Sequence, residues 1–353
     1  MNEEKTVLFL CGANADYTRN ALNLKALKQS FRTIEISSRL PHYFLRLPMV
    51  AIKFLLCFKI YDLIFVGFLA QPLMPIVRLW TKKPIIFDAF ISLYDTICFD
   101  RKIFKPNSIV GRMAFWIDQK SCIWADKIIT DTNAHADYFS QTFNISRNKF
   151  QTIYLGADTE IFYPLVNQQK NDEKKFIVFY YGSGLPLQGI DVILKAAKRL
   201  EVDNSIVFRL VGPIRKKHGE LIKKLQPRNI EFIDWIPYDE LPKKITESDI
   251  CLGGHFSNID KAKRVISGKT YQFLAMRKPV IVGDNPANKE LFENQKDVIM
   301  VEMGTAEALA QGIQKLQKDE NLRKKISKNN YSIFRAKFLN DYFKKIFSKL
   351  VDI

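Results

Sequence analysis

Two segments of this chain hold residues whose types and spacing could do phosphate chemistry. In Tyr181-Gly182-Ser183-Gly184-Leu185-Pro186-Leu187-Gln188-Gly189-Ile190-Asp191 an apolar, strand-like run ends in glycines and a helical pattern begins. Glycine lets the backbone approach a phosphate closely, and a helix N-terminus offers N–H groups and the positive end of a dipole. The spacing is neither a Walker loop nor Gly-x-Gly-x-x-Gly, so a purely structural turn accounts for it equally well. The second segment, Lys261 to Met276, places Lys261, Lys263, Arg264 and Lys269 ahead of or within the start of a helix expected from about Gly268 to Met276. It follows a strand-like run from Ile250 to Gly253, which puts the cations at the carboxyl edge of a parallel sheet, where ligands bind. A solvated basic loop would have the same composition.

The elements that must position these residues are legible as alternating short apolar runs and helical stretches. In the first half, strand-like runs fall at Thr6 to Leu10, Leu63 to Val66, Pro84 to Asp88, Lys127 to Thr130 and Phe150 to Tyr154. The turn Cys11-Gly12-Ala13-Asn14 joins the first of them to helical spacing through Leu22, Leu27 and Phe31. A second series begins at Phe176 to Tyr180 and continues at Ile206 to Leu210, Ile230 to Ile233, Ile250 to Gly253, Val280 to Gly283 and Val298 to Val301. Strand, glycine turn and helix in alternation predict two doubly wound parallel sheets, an α/β chain of two Rossmann-like domains. The polar run Val166 to Lys175 has no core-facing period and reads as a linker. The expected division is 1–163, a linker at 164–175, 176–330, and a tail at 331–353. That tail reads as one amphipathic helix carrying Phe334, Phe338, Phe343, Phe347 and Leu350, returning to the first domain.

Composition agrees with two cores and an anionic partner. The 353 residues exceed what one core usually serves, and 54 Lys and Arg against 37 Asp and Glu leave a formal charge of +17. The five cysteines include no Cys-x-x-Cys pair, which suggests neither a zinc site nor a disulfide framework. The first apolar run, Val7 to Cys11, is too short for a signal-peptide core, so a cytoplasmic protein is expected. Between Leu40 and Trp80 aromatic and apolar residues alternate with Arg46, Lys53, Lys59 and Arg78, a composition suited to insertion into an anionic interface. An ordinary core helix is the alternative there. Lys53, Lys59 and Asp62 interrupt the segment too often for a membrane span.

The segments Gly182 to Asp191, Leu210-Val211-Gly212, Phe232-Ile233-Asp234-Trp235, Glu247-Ser248-Asp249-Ile250 and Lys269 to Met276 with Lys278-Pro279-Val280-Ile281 together resemble the second domain of group 1, family four glycosyltransferases. Ala125 to Thr130 and Tyr154 to Pro164 resemble the passage between that family's domains. The resemblance implies the GT-B architecture, two Rossmann-like domains facing a cleft, with acceptor on the first and nucleotide sugar on the second. It implies transfer of a sugar, of the hexosyl type, from a nucleotide-diphosphate sugar to an acceptor hydroxyl with retention at the anomeric carbon. The acceptor would be a glycan or lipid-linked precursor of a cell-surface polysaccharide.

By the same resemblance Gly182, Ser183, Gly184, Gln188, Gly212, Trp235, Ile236 and Gln272 fall on the donor side, with the base near Gly212 and Trp235-Ile236 and the ribose hydroxyls on Gln272. Trp235 as a plain core aromatic is the competing reading. Gly12, Asp88 and Asp95 fall on the acceptor side, with Asp88 as a buried hydrogen-bond acceptor the alternative. Of the histidines, His255 alone stands near the expected cleft. Two departures matter. Ser183 and Gln188 stand where family members commonly carry Arg and Lys, and Arg264 and Gln272 replace the two glutamates of Glu-x7-Glu. Arg264 and Lys269 are therefore expected to have taken over the leaving diphosphate, with Lys261 and Lys263 solvated. No Asp-x-Asp or histidine cluster points to a metal, so no cofactor is expected. Attachment to the inner face of a membrane is expected, and a nucleic acid partner is not. The rivals are an inactive GT-B scaffold subunit, favoured by the missing motif residues, and a basic membrane- or nucleic-acid-binding protein without chemistry.

Overall fold

The structure is a computed structural model, and it describes residues 5–165, 175–339 and 342–351. The expected linker at 164–175 lies, for 166–174, outside the described residues. The chain divides into two compact units, 1–155 with 341–353, and 156–340.

In the first unit all six strands are parallel, in the order β2-β1-β3-β4-β5-β6. They are β1 (Thr6–Leu10), β2 (Arg32–Ile36), β3 (Leu63–Val66), β4 (Ile85–Asp88), β5 (Lys127–Thr130) and β6 (Phe150–Thr152). The central runs are buried on both faces, which is why they read as continuous apolar stretches. β2 escapes that pattern. As an edge strand it carries exposed Arg32 and Glu35 around half-buried Thr33 and Ile34.

Helices cover both faces of this sheet. One layer is α2 (Tyr43–Leu55), α3 (Met74–Trp80), α5 (Ile109–Trp124) and α6 (Asn133–Phe143), whose inner residues share a core with Leu8, Val66, Ile85 and Ile128. The short α4 (Leu93–Asp95) runs into a wider turn at Thr96–Asp100 before α5. On the other face lies α1 (Thr18–Ser30), and with it the last helix, α15 (Tyr342–Val351), whose Phe347, Leu350 and Val351 pack on Val7, Phe9 and Phe65.

The second unit is also all parallel, ordered β12-β11-β10-β7-β8-β9. Its strands are β7 (Phe176–Tyr181), β8 (Ile206–Val211), β9 (Ile230–Ile233), β10 (Ile250–Leu252), β11 (Val280–Gly283) and β12 (Ile299–Val301). Between and after them run α7 (Ile190–Leu200), α8 (Ile214–Leu225), α9 (Leu241–Thr246), α10 (Asp260–Arg264), α11 (Gly268–Ala275), α12 (Pro286–Lys289), α13 (Ala306–Lys318) and α14 (Glu320–Phe338). The expected single helix at the tail is two helices. α14 starts well before Tyr331 and stays in the second unit, where Phe338 meets Tyr271, whereas α15 belongs to the first.

In each sheet the connection order reverses once, beside β1 and beside β7, and the crevice at the carboxyl ends of those strands is where such folds take ligands.

Candidate functional site

At the carboxyl end of β7 the glycines are required by close backbone approach. Gly182 N–H donates to the Val211 carbonyl at 2.9 Å, and a Cβ on Gly212 would lie 2.0 Å from the Gly182 carbonyl oxygen. Gly212 also has φ +125°, a region closed to residues with a side chain. Gln188 holds the turn together from inside. Its Oε1 accepts from Tyr180 Oη at 3.0 Å, Gly184 N–H at 2.9 Å and Leu185 N–H at 3.2 Å. The Gln188 carbonyl oxygen is thus taken up by the turn it shapes, so any contact to the donor falls to its amide nitrogen. Ser183 is exposed, and its carbonyl accepts from Lys217 Nζ at 2.6 Å. Lys217, on α8, thus returns an ammonium to the turn that carries no cation in sequence.

The loop after β10 locks onto the same turn through Ser257 Oγ, which donates to the Leu187 carbonyl at 2.7 Å. Beyond it, α11 begins at the carboxyl edge with Lys269 in its first turn. The Lys269 side chain is buried, 7 % exposed. Its Nζ donates to Ser267 Oγ at 3.1 Å and lies 4.9 Å from the Tyr180 ring centroid and 6.0 Å from that of Tyr181, all neutral groups. Burial alone lowers its pKa from 10.5 to about 7. The helix N-terminus beside it carries a positive partial charge of its own, so among the described residues the Ser267 hydroxyl and the tyrosine rings are what offsets the ammonium. His255, also buried, is pushed down to about 3 by desolvation and then by Lys269 and Lys261.

Lys261 is itself buried, 7 % exposed, against the expectation that it is solvated. Lys263 is half-exposed and paired with Asp260 at 3.1 Å. Arg264 ends α10, half-buried, ahead of α11.

Gln272, one helical turn below Lys269, is buried with its Nε2 donating to Tyr238 Oη at 2.8 Å. Its Oε1 is buried and has no hydrogen-bond partner among the described residues. A free carbonyl oxygen is what a sugar hydroxyl would need. Trp235 is 75 % exposed, which overturns its reading as a core aromatic, and Ile236 beside it is half-buried. The sequence gives little warning of Tyr238, whose hydroxyl fixes the Gln272 amide and whose ring meets Phe162 edge-on at 5.3 Å.

In the first unit the acidic residues expected to face the acceptor are interior. Asp88 is fully buried and takes Arg19 in a forked pair, Nε at 3.0 Å and Nη2 at 2.9 Å, with Asn23 Nδ2 at 2.9 Å. Burial works against the Arg19 charge, but Asp88 more than restores it and holds the guanidinium above its ordinary pKa. Arg19 then donates to the Ile153 carbonyl at 2.8 Å, tying α1 to β4 and to the end of β6. Asp95 is buried as well, 3 % exposed, with its N–H on Ser92 Oγ. Gly12 is needed for packing, because a Cβ there would lie 2.0 Å from the Leu69 carbonyl oxygen. What this edge does present is aromatic. Tyr17, 46 % exposed, packs with its ring tilted against Phe68 at 4.8 Å and stands 6.4 Å from Phe90. Next to it Asp131 holds buried His135 through Nδ1 at 2.7 Å, a pair signalled only by its i, i+4 spacing across a helix start.

Among the described residues no group of three or more His, Cys, Asp and Glu side chains is placed to hold a metal ion.

Residues 164–333 match the family model described as glycosyl transferases group 1. A search of curated proteins finds no match to the chain. Among solved structures, HepE of Anabaena in complex with UDP-glucose superposes with a TM-score of 0.73 at 16 % identity, covering 98 % of this chain and 99 % of that one. Sucrose-phosphate synthase of Thermosynechococcus elongatus gives a TM-score of 0.77 at 15 % identity over 99 % and 98 %. A glycosyltransferase of Rickettsia africae gives 0.66 at 16 % over 100 % and 98 %. Residues 164–333 thus match a group 1 glycosyltransferase model, and the chain as a whole has the two-sheet GT-B fold of these structures.

Proposed function

We propose that this chain transfers a sugar from a nucleotide-diphosphate sugar to an acceptor hydroxyl, with retention at the anomeric carbon. The observation that carries the reading is Lys269, a buried ammonium with only neutral partners at the carboxyl edge of the second sheet. Burying a charge without an opposite charge is costly, and a diphosphate would relieve that cost as it gains charge on leaving. Lys217 beside the glycine turn and Arg264 ahead of α11 add positive charge to the same edge. The nucleoside would be held by Gln272 Oε1 at the ribose and by the exposed Trp235 indole at the base. HepE was solved with UDP-glucose, which makes it the first donor to try.

In the step itself the bond from the anomeric carbon to the phosphate oxygen breaks, and the acceptor oxygen bonds to that carbon on the same face. The acceptor proton passes to the departing phosphate oxygen. This chemistry requires no separate base, and fixed cations take the place of a metal. The acceptor is proposed to be a lipid-linked glycan precursor, its sugar ring lying on the Tyr17, Phe68 and Phe90 rings of the first unit. The chain would meet that lipid by attaching to an anionic membrane face through residues 39–80.

The test is a panel of nucleotide sugars, UDP-glucose first, followed by release of the nucleoside diphosphate with and without acceptor and with and without EDTA. Turnover that survives chelation supports the reading. Turnover restored only by manganese or magnesium overturns its metal-free part. Tight donor binding without turnover on any acceptor would favour the inactive scaffold.

A further inference from the structure

From residue 39 to residue 124 the chain carries twelve Lys and Arg and five Asp, with no Glu. Four of those aspartates, Asp88, Asp95, Asp100 and Asp118, are buried, and only Asp62 is exposed. The outer surface of this stretch is therefore cationic almost without relief.

It is also apolar. α5 turns Ile109 and Met113 outward, 79 % and 57 % exposed, together with Val110 and Trp116. Arg112 joins Ile109, Met113, Trp116 and Ile117 in lining a shallow groove along this helix. Trp116 rests edge-on against Trp124 at 6.1 Å, which leaves its indole nearly half exposed. The turn before α5 adds Ile103 and Phe104, 58 % and 41 % exposed, beside exposed Arg101, Lys102 and Lys105. α2, α3 and α5 cover the same face of the sheet, and the outer sides of α2 and α3 present Phe44, Ile52, Leu79 and Trp80. Large apolar side chains exposed in a group, as along the α5 groove, mark interaction surfaces rather than ordinary solvent-facing ones.

We propose that the α2, α3 and α5 part of this helical layer is a bilayer-docking face, with α5 and the turn before it an anchor beyond the residue 39–80 segment. The occupant is an anionic phospholipid surface. Ile109, Met113 and Trp116 enter the acyl boundary, while Arg112 and Lys102 meet the lipid phosphates, the division of labour of an interfacial helix. Charge selects the occupant: residues 39–124, which supply α2, α3 and α5, expose one carboxylate, and such a surface complements a negative one and repels a second copy of itself. The inference rests on the membrane reading proposed above, and separate variants distinguish the two.

The experiment is co-sedimentation of the full chain with vesicles of phosphatidylcholine containing phosphatidylglycerol, and with phosphatidylcholine alone. The α5 variant is Met113→Glu with Trp116→Glu, and the α2 variant is Phe44→Glu with Ile52→Glu. All four side chains are exposed, so both variants are expected to keep the parent's denaturation midpoint and its turnover of UDP-glucose with a soluble acceptor. Each should lower the partition coefficient on anionic vesicles at least about tenfold, and high salt should weaken what remains. Wild-type binding by the α5 variant, with loss in the α2 variant, overturns this inference and leaves the earlier reading standing. Equal binding to neutral and anionic vesicles overturns both. A dimer in light scattering that the α5 variant abolishes would make this face a contact between copies and would also overturn it.

Discussion

Each unit buries a cation near the carboxyl edge of its sheet, and the two are treated in opposite ways. Arg19 is wholly buried and gripped by Asp88, with its remaining reach spent on the Ile153 carbonyl. Lys269 is nearly as deep and has a hydroxyl and two aromatic rings. A buried charge that is fully paired holds structure, whereas one left with neutral neighbours marks where an anion from outside is wanted. The contrast teaches that burial alone does not say whether a charged residue is architecture or site. Its partners do.

The strongest way to break the comparison is to treat the two cations alike. Asp88→Asn strands Arg19 and is expected to destabilise the protein by about 3 to 5 kcal/mol, read as a shift in the urea midpoint. Arg19→Leu with Asp88→Leu should recover much of that loss, because an apolar pair of similar volume removes both charges. An Asp88→Asn variant as stable as the parent would remove the structural half of the contrast.

Lys269→Met should do the reverse, leaving stability unchanged or improved while lowering kcat/KM by roughly 100-fold or more, the usual effect of deleting a fixed charge at a developing anion. Arg264→Ala is expected to lose a comparable factor, and Lys261, being buried, belongs with this group. If Lys269→Met unfolds the chain and retains its turnover when folded, the site half fails.

The pH dependence sharpens the same point. Lys269 has its folded pKa near 7, below its unfolded 10.5, so its burial penalty is fully present below pH 7. The penalty lifts as pH rises from about 7 towards 10.5, where the folded protein sheds a proton that the unfolded chain keeps. The stability advantage of Lys269→Met should therefore shrink over that window. A bound diphosphate restores the charged form, so donor binding at pH 8 should take up a proton, measurable by calorimetry in buffers of different ionisation heat. Donor binding with no proton uptake in wild type would sink the assignment.

The smallest effects expected are at the exposed residues. Trp235→Ala should raise the donor KM several-fold with kcat nearly unchanged, since stacking on a base is worth about 1 to 3 kcal/mol. Lys263→Ala should change kcat/KM by less than about threefold, because its ion pair with Asp260 is solvent-exposed.

Much of the fold is legible in the sequence because a strand buried on both faces must be apolar throughout, as Leu63–Val66 and Val280–Gly283 are. β2 is missed for the same reason, being an edge strand whose Arg32 and Glu35 face water. The tail reads as one helix because period alone does not locate a break between Phe338 and Tyr342. Within the candidate site the glycine turn and α11 are visible as motifs. The partners are not, because Gln188 on Gly184, Lys217 on Ser183 and Tyr238 on Gln272 are contacts made by folding. Asp88 shows the converse error. An acidic residue at a strand's carboxyl end resembles a ligand contact until Arg19, from another element, is found to have claimed it.

α15 carries a consequence for how the protein is made. The ribosome releases β1 to β6 first, yet one face of their sheet waits for Phe347, Leu350 and Val351. At about 5 to 20 residues per second, the second unit takes on the order of 10 to 40 s to emerge before α15 can. During that interval Val7, Phe9 and Phe65 lack their final cover, and the first unit is open to chaperones and to self-association. The second unit, continuous in sequence, has no such wait, so the half of the molecule synthesised first is the half that finishes last.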